Sequence, residues 1–208
     1  VGGMKCATCG AGTYSNGTES SECIACGAGK YGTVSGESSE AVACSFCLVG
    51  YYSSFPGSTA CTVTPPGSFA GSRGHSTYID CPAGNFQTNL GASACVVASA
   101  GRYAGKGAAV ETPCLAGKYS SEMGAASEST CEECAVGTYS QAGASSCSLC
   151  AAGTYTTALG QASCKACPVG KHAGSAGSSE CAVCDAGKYA PAPGATSCLE
   201  CGKDTYSN

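Results

Sequence analysis

The sequence contains no tryptophan and few large aliphatic residues. Leu, Ile, Val and Phe together supply 23 of its 208 positions. Globular domains build their cores from these residue types, and a chain in which they fall below about 20% tends toward disorder. The fold must therefore be stabilised by something other than a sizeable apolar core.

Charge is scarce as well. Asp, Glu, Lys and Arg form 12% of the chain, the net charge is −4, and the basic residues do not cluster. Because no basic patch is present to bind a phosphate backbone, we do not expect nucleic acid as a partner. No apolar run approaches the roughly 18 residues that cross a bilayer, so we predict no transmembrane segment in this chain.

Groups that carry catalysis are also few. His75 lies in a Gly-Ser loop without an adjacent carboxylate, and His172, the other histidine, takes an aromatic position of the repeat described below. No nucleophile signature such as G-x-S-x-G occurs, and the acidic residues lack the alternating spacing of a calcium loop. We predict that the chain is not an enzyme and has no catalytic, cofactor-binding or metal-binding residues.

Cysteine, by contrast, is abundant and regularly spaced. The chain has 20 cysteines, and the pattern C-x-x-C-x-x-G-x-aromatic returns twelve times, in five cases with one position replaced, most often every 17 residues. A fixed short period of this kind indicates a repeat array. The twelve repeats begin at Cys6, Cys23, Cys44, Cys61, Tyr78, Cys95, Glu111, Cys131, Cys147, Cys164, Cys181 and Cys198.

Two cysteine pairings compete. The cysteines could pair within a doublet, as Cys6 with Cys9, or across the loop to the next repeat, as Cys9 with Cys23. Doublet pairing leaves no unpaired cysteine at the ends of the array, but it needs tight C-x-x-C bridges of a kind more common in redox motifs. Spacing alone does not decide between the two pairings.

The incomplete repeats favour loop pairing. Thr64 and Tyr78 occupy the two positions that one loop bridge would join, and Ala98 and Glu111 occupy those of another, so both partners are missing together each time. Cys6 and Cys201 remain over, and we expect each to form a disulfide with a neighbouring segment of a longer array. The predicted pairs are Cys9–Cys23, Cys26–Cys44, Cys47–Cys61, Cys81–Cys95, Cys114–Cys131, Cys134–Cys147, Cys150–Cys164, Cys167–Cys181 and Cys184–Cys198.

Each repeat has the pattern of a small β-hairpin: a Gly-x-aromatic segment, a Gly- and Ser-rich turn, and a return to the next doublet. Gly12 and its equivalents predict positive φ or close backbone approach, and Tyr14 and its equivalents are expected to cover a neighbouring disulfide or ring. We predict a small disulfide-rich all-β fold, with tandem hairpins of about 17 residues stacked into an elongated, solenoid-like rod. We interpret residues 1–208 as one continuous array of about twelve repeats, cut from a longer chain.

Zinc and redox chemistry are weaker alternatives for the cysteines. The first two doublets, which begin at Cys6 and Cys23, have the spacing of a four-cysteine zinc site, but the doublets do not group into fours along the chain. Redox catalysis needs one activated doublet rather than many equivalent ones.

Modification and contact sites are expected at the hairpin tips. Asn16-Gly17-Thr18 is a sequon, so we predict N-glycosylation at Asn16. Serine and threonine crowd the tips, which would be either O-glycosylated or bare polar loops. Repeats 2 and 7 have longer loops, residues 35–43 and 120–130, which we expect to form contact surfaces.

The string C-x-x-C-x-x-G-[KT]-Y followed by G-x-x-x-C resembles the ephrin-receptor-like cysteine-rich repeat and, more distantly, tumour-necrosis-factor-receptor modules. It is seen in Cys147, Cys150, Gly153, Tyr155, Gly160 and Cys164. The resemblance covers nearly the whole chain, with departures at Thr64, Tyr78, Ala98, Glu111, His172 and Asp204. Such repeats occur in receptor ectodomains, in protist and algal surface proteins and in flagellar hairs, so the resemblance implies an extracellular or cell-surface location.

Two functions fit these features. The first is a structural rod in a glycosylated filament, surface appendage or coat; the second is a stalk or ligand-binding ectodomain of a receptor or adhesin. The sequence favours the first, because the repeats are alike and none gathers the Trp, Tyr and Arg of a recognition hot spot. A variable surface antigen would have a similar composition. Expected partners are other copies or neighbouring repeats of the same protein, and glycans; no cofactor is expected.

Overall fold

The structure, a computed structural model, describes residues 7–17 and 20–202 and consists of short β-hairpins with little helix. Each strand in this part of the chain is two residues long. The described residues include two helical turns, α1 (Glu40–Ala43) and the 3-10 turn η1 (Glu128–Thr130). The strands are β1 (Thr13–Tyr14), β2 (Ile24–Ala25), β3 (Lys30–Tyr31), β4 (Ser45–Phe46), β5 (Tyr51–Tyr52), β6 (Thr62–Val63), β7 (Ser68–Phe69), β8 (Ile79–Asp80), β9 (Asn85–Phe86), β10 (Val96–Val97), β11 (Arg102–Tyr103), β12 (Thr112–Pro113), β13 (Lys118–Tyr119), β14 (Glu132–Glu133), β15 (Thr138–Tyr139), β16 (Ser148–Leu149), β17 (Thr154–Tyr155), β18 (Lys165–Ala166), β19 (Lys171–His172), β20 (Ala182–Val183), β21 (Lys188–Tyr189) and β22 (Leu199–Glu200).

The chain divides into two compact units. One comprises Val1–Val96 with Gly105–Val110, and the other comprises Val97–Ala104 with Glu111–Asn208. The first unit contains β1–β9 and α1, the second contains β11–β22 and η1, and β10 lies at the division.

Within each unit, a hairpin joins the aromatic position of one repeat to the doublet of the next. In the first unit β1 pairs antiparallel with β2, so that Tyr14 lies opposite Ile24, and β3–β4, β5–β6 and β7–β8 have the same register. In the second unit β11–β12, β13–β14, β15–β16, β17–β18, β19–β20 and β21–β22 repeat it. The β-branched and aromatic residues at many of these positions favour extended backbone.

Nine disulfides among the described residues close the hairpins, and they are the nine pairs that loop pairing predicts. They close sequence separations of 13 to 18 residues. Doublet cysteines such as Cys26 and Cys134 are fully buried and take the place of an aliphatic core, together with small residues such as Ala70 and Ala104. The prediction of a small disulfide-rich fold of tandem β-hairpins is therefore confirmed.

The two helical turns lie in the two longer loops, where the sequence analysis expects contact surfaces but no helix. Each begins with a glutamate, Glu40 in α1 and Glu128 in η1. A lysine on the preceding strand pairs with each glutamate: Lys30 Nζ lies 2.6 Å from Glu40 Oε1, and Lys118 Nζ lies 3.6 Å from Glu128 Oε1. The extra loop residues are thus folded back onto their own hairpins.

Candidate functional site

Neighbouring repeats are joined by a ladder of backbone hydrogen bonds. The second glycine of a repeat, in the turn of the hairpin, donates its N–H to the carbonyl of the second doublet position of the preceding repeat. In the first unit these bonds run from Gly36, Gly57, Gly74, Gly91 and Gly107 to Cys9, Cys26, Cys47, Thr64 and Cys81; in the second they run from Gly124, Gly143, Gly160, Gly177 and Gly194 to Ala98, Cys114, Cys134, Cys150 and Cys167. The rungs are 2.7 to 3.0 Å long.

Glycine is also required at the first glycine position of a repeat, which packs on a ladder glycine. Gly12, the first glycine of its repeat, has φ +79° and packs on the carbonyl of Gly57, two repeats further along. Gly117 packs in the same way on Gly160 in the second unit, with φ +86°. A β-carbon on either first glycine would overlap the facing carbonyl oxygen. Both predictions for these glycines, positive φ and close backbone approach, are confirmed.

The aromatic position covers disulfides, as the sequence predicts. Tyr14 packs on the cluster formed by Cys26, Ala43 and Cys44, which contains one of the disulfides. A ring–ring contact is also present among the described residues: Tyr52 meets Tyr78 edge-on, with ring centroids 5.4 Å apart.

Non-cysteine residues occupy the two missing bridges without interrupting the ladder. Thr64 and Ala98 replace buried doublet cysteines and are themselves fully buried, and their carbonyls still accept ladder bonds from Gly91 and Gly124. Glu111 takes the place of the partner of Ala98. Its carboxylate accepts a 2.7 Å hydrogen bond from the Ser99 N–H and lies 3.4 Å from Arg102 Nε, so polar contacts replace a covalent one.

A groove lies beside α1 in the first unit. It has a volume of about 690 Å³, and its walls include Tyr31, Glu40, Phe46 and Arg73. The Phe46 ring is 57% exposed, and Lys30 Nζ lies 4.6 Å from its centroid. Glu40 neutralises that ammonium group, whereas no carboxylate within the described ranges pairs with the exposed Arg73. The groove therefore combines an aromatic surface with a guanidinium group that forms no ion pair among the described residues.

A smaller groove of about 170 Å³ lies at the equivalent place beside η1 in the second unit. Tyr119 and Glu132 are among its lining residues, and the Tyr119 hydroxyl donates a 2.9 Å hydrogen bond to Glu132 Oε2. This bond, together with the negative charge of Glu132, raises the pKa of Tyr119 above its ordinary value. Sequence reasoning identified the two long loops but not the groove residues, because these are separated along the chain and share no spacing pattern.

The two cysteines expected to form bonds outside this segment differ in how far the structure describes them. Cys201 is a free, half-buried cysteine, and Cys6 lies outside the described residues. Asn16 is exposed, while Thr18 of its sequon also lies outside the described residues. N-glycosylation at Asn16 and inter-segment disulfides at Cys6 and Cys201 stay predictions.

The two histidines contact the repeat framework. The His75 carbonyl accepts a hydrogen bond from the Ser53 N–H, and its Nε2 lies 3.1 Å from Ser72 Oγ. In the second unit the ligand-type atoms of His172, Cys184 and Cys198 lie within 4.8 Å of one another. The two sulfurs are joined in a disulfide, so they do not offer thiolate ligands to a metal. In the part of the chain that the structure describes, no helix is long and apolar enough to cross a membrane.

Comparison with known families finds a match within the second unit. A family model described as tyrosine-protein kinase ephrin type A/B receptor-like matches residues 137–180, which lie in the second unit and include the Cys150–Cys164 disulfide. The chain is thus similar to this family over a part of its cysteine-rich repeats. No curated protein matches the sequence. The disulfides and this similarity together indicate a secreted or extracellular protein with receptor-like or structural cysteine-rich repeats.

Proposed function

We propose that the chain is an extracellular structural protein, a disulfide-stapled rod that forms part of a glycosylated filament, surface appendage or coat. The observation that carries the proposal is the backbone ladder, which repeats at equivalent positions in both units and uses residues that recur in the sequence. Such a contact can recur from repeat to repeat, because it uses backbone groups and requires only glycine at fixed positions. That economy suits a scaffold, in which every repeat has the same task.

Exposed apolar side chains on the second strand of the hairpins support self-association. Leu149, Val183 and Leu199 of the second unit are 63%, 67% and 50% exposed. In the first unit Ile24, Phe46 and Ile79 also lie on second strands and are 42%, 57% and 44% exposed. Apolar groups that recur on the second strands of several hairpins offer a surface for lateral contact between copies.

The length of the rod is tested by small-angle X-ray scattering on the purified, oxidised chain. If the eleven two-stranded hairpins of the described residues lie across the rod axis with strands about 4.8 Å apart, the rod is on the order of 100 Å long and its radius of gyration is about 29 Å. A compact globule of the same size would have a radius of gyration of about 17 Å. A value near the globular one contradicts the rod.

Lateral association is tested by sedimentation velocity over a concentration series. We expect larger species as the concentration rises, and weaker association in Leu149→Lys with Val183→Lys. The matched control, Thr157→Lys with Ala158→Lys, adds the same charge to exposed positions away from the second strands. A strictly monomeric chain at every concentration, or equal loss in both variants, contradicts the filament proposal.

The groove beside α1 favours a second candidate function, a stalk or ligand-binding ectodomain. Its partly exposed Phe46 side chain and exposed Arg73 suit an acidic saccharide, which packs beside the ring while its carboxylate pairs with the guanidinium. Titration of isotope-labelled chain with an oligomer of a hexuronic acid tests this. Binding would shift the resonances of Phe46 and Arg73, and Arg73→Gln should abolish it; resonances that do not move contradict this function.

A further inference from the structure

His172 contacts a disulfide at an aromatic position that carries Tyr or Phe in the other repeats. Its Nδ1 lies 3.1 Å from Sγ of Cys198, which is bonded to Cys184. A disulfide sulfur carries no hydrogen, so this contact is a hydrogen bond only when Nδ1 holds the proton. In the tautomer with the proton on Nδ1, the imidazole places an N–H donor on Sγ of Cys198.

We propose that the Cys184–Cys198 disulfide is a site of thiol–disulfide exchange, at which the thiolate of a partner becomes covalently attached to Cys184. The partner is a small thiol or a cysteine of another chain; both react through the same group.

The direction of the exchange follows from the position of the imidazole. The partner thiolate attacks Sγ of Cys184, a new sulfur–sulfur bond forms there, and the bond to Cys198 breaks with its electron pair leaving on Cys198. His172 stabilises this leaving thiolate by donating from Nδ1, and a protonated imidazole can transfer that proton to give a neutral thiol. A better-stabilised leaving thiolate accelerates exchange, so attack at Cys184 is favoured over attack at Cys198.

Access to the reacting sulfur supports this assignment. Cys184 and Cys198 are both partly exposed. Both sulfurs of this disulfide can therefore be reached by a dissolved thiolate, as exchange requires.

The test uses the oxidised chain with Cys6→Ser and Cys201→Ser, which removes the cysteines that lie outside the nine disulfides. The chain is incubated with reduced glutathione, quenched with iodoacetamide and mapped as non-reduced peptides by mass spectrometry. We expect the first mixed disulfide to carry glutathione on Cys184 and the alkyl group on Cys198. Glutathione mainly on Cys198, or equal amounts on the two, would overturn the proposal.

The His172→Tyr variant restores the ring found in most repeats and is the matched control. We expect its exchange at Cys184–Cys198 to be slower by about tenfold, the effect of one lost hydrogen bond to a charged group. Exchange at Cys167–Cys181, measured in the same sample, should not change and serves as the reference for global stability. An unchanged rate at Cys184–Cys198, or equal slowing of both disulfides, would show that His172 does not assist the leaving sulfur.

Discussion

Restoring the missing bridge between Ala98 and Glu111 should stabilise the second unit. The double variant Ala98→Cys with Glu111→Cys places cysteines at the two positions that are bridged in the other loops. Ala98 is fully buried like the doublet cysteines, and Glu111 already contacts Ser99, the residue after Ala98, at 2.7 Å. The two chain segments are thus adjacent, and we expect the new disulfide to form on oxidative folding.

The magnitude follows from the loop that the bridge would close. Its separation is 111 − 98 = 13 residues, equal to that of the Cys134–Cys147 disulfide, and a loop of this length stabilises by about 3 kcal/mol through the entropy of the unfolded chain. Losing the Ser99–Glu111 hydrogen bond costs about 1 kcal/mol, and losing the partly exposed ion pair with Arg102 costs less than about 1 kcal/mol. The net gain in the free energy of unfolding is about 1 to 2 kcal/mol. For a unit of about 100 residues this raises Tm by roughly 5 to 10 °C.

Thermal unfolding followed by circular dichroism, with a thiol count on the same sample, measures this effect. The control Ala98→Ser with Glu111→Ser removes the polar contacts without adding a bond and should lower Tm. Two free thiols in the oxidised cysteine variant would refute the equivalence of these positions with the other loop pairs. A bond that forms without raising Tm would refute the entropic argument.

Two further predictions concern the first glycine of a repeat and the Tyr119–Glu132 pair. Gly117→Ala should lower the free energy of unfolding by more than about 2 kcal/mol, because the added β-carbon overlaps the Gly160 carbonyl and the residue has positive φ. The control Gly105→Ala, whose β-carbon meets no atom within 4 Å, should lower it by less than about 0.5 kcal/mol. Urea unfolding compares the two variants, and equal losses would contradict the packing argument. Tyr119 should ionise above the ordinary tyrosine pKa of 10.0 because ionisation would give up its hydrogen bond to Glu132 and place two negative charges together. The hydrogen bond between Tyr119 and Glu132 therefore contributes fully to stability below pH 10.0, the ordinary tyrosine pKa, and this contribution is lost as the pH rises through the folded-state pKa of Tyr119. Glu132→Gln should move the Tyr119 pKa, followed by phenol absorbance, back toward 10.0. An unchanged titration curve would contradict Glu132 as the cause.

The positions of the bridges could be predicted because cysteine loss is correlated along the chain. Thr64 and Tyr78 replace two cysteines together. This joint replacement is explained if the second doublet cysteine of one repeat pairs with the first cysteine of the next. A covalent bond requires both partners, so even one sequence shows which positions depend on each other. Hydrogen bonds and ring contacts produce no correlated pattern of residue loss along the chain, so they cannot be predicted in this way. The contact between His172 and Cys198, 26 residues apart, could not have been read from their spacing.

The grooves were not predictable for a related reason. The loop that contains α1 is recognisable by its length, but Arg73 reaches its groove from two repeats further along the chain. The position of Arg73 depends on the offset between successive hairpins. The backbone ladder between repeats sets that offset.

The sequence by itself determined the repeat, the bridged cysteines and the need for glycine at the position of Gly12 and its equivalents, because these are local and recur at fixed spacing. Tertiary structure alone decided that the first glycine of a repeat packs on the second glycine two repeats later, as Gly12 does on Gly57. It also decided which ring covers which disulfide and where the charged groups meet. These contacts depend on the offset between hairpins, and that offset is set by the close approach of backbones rather than by any one residue.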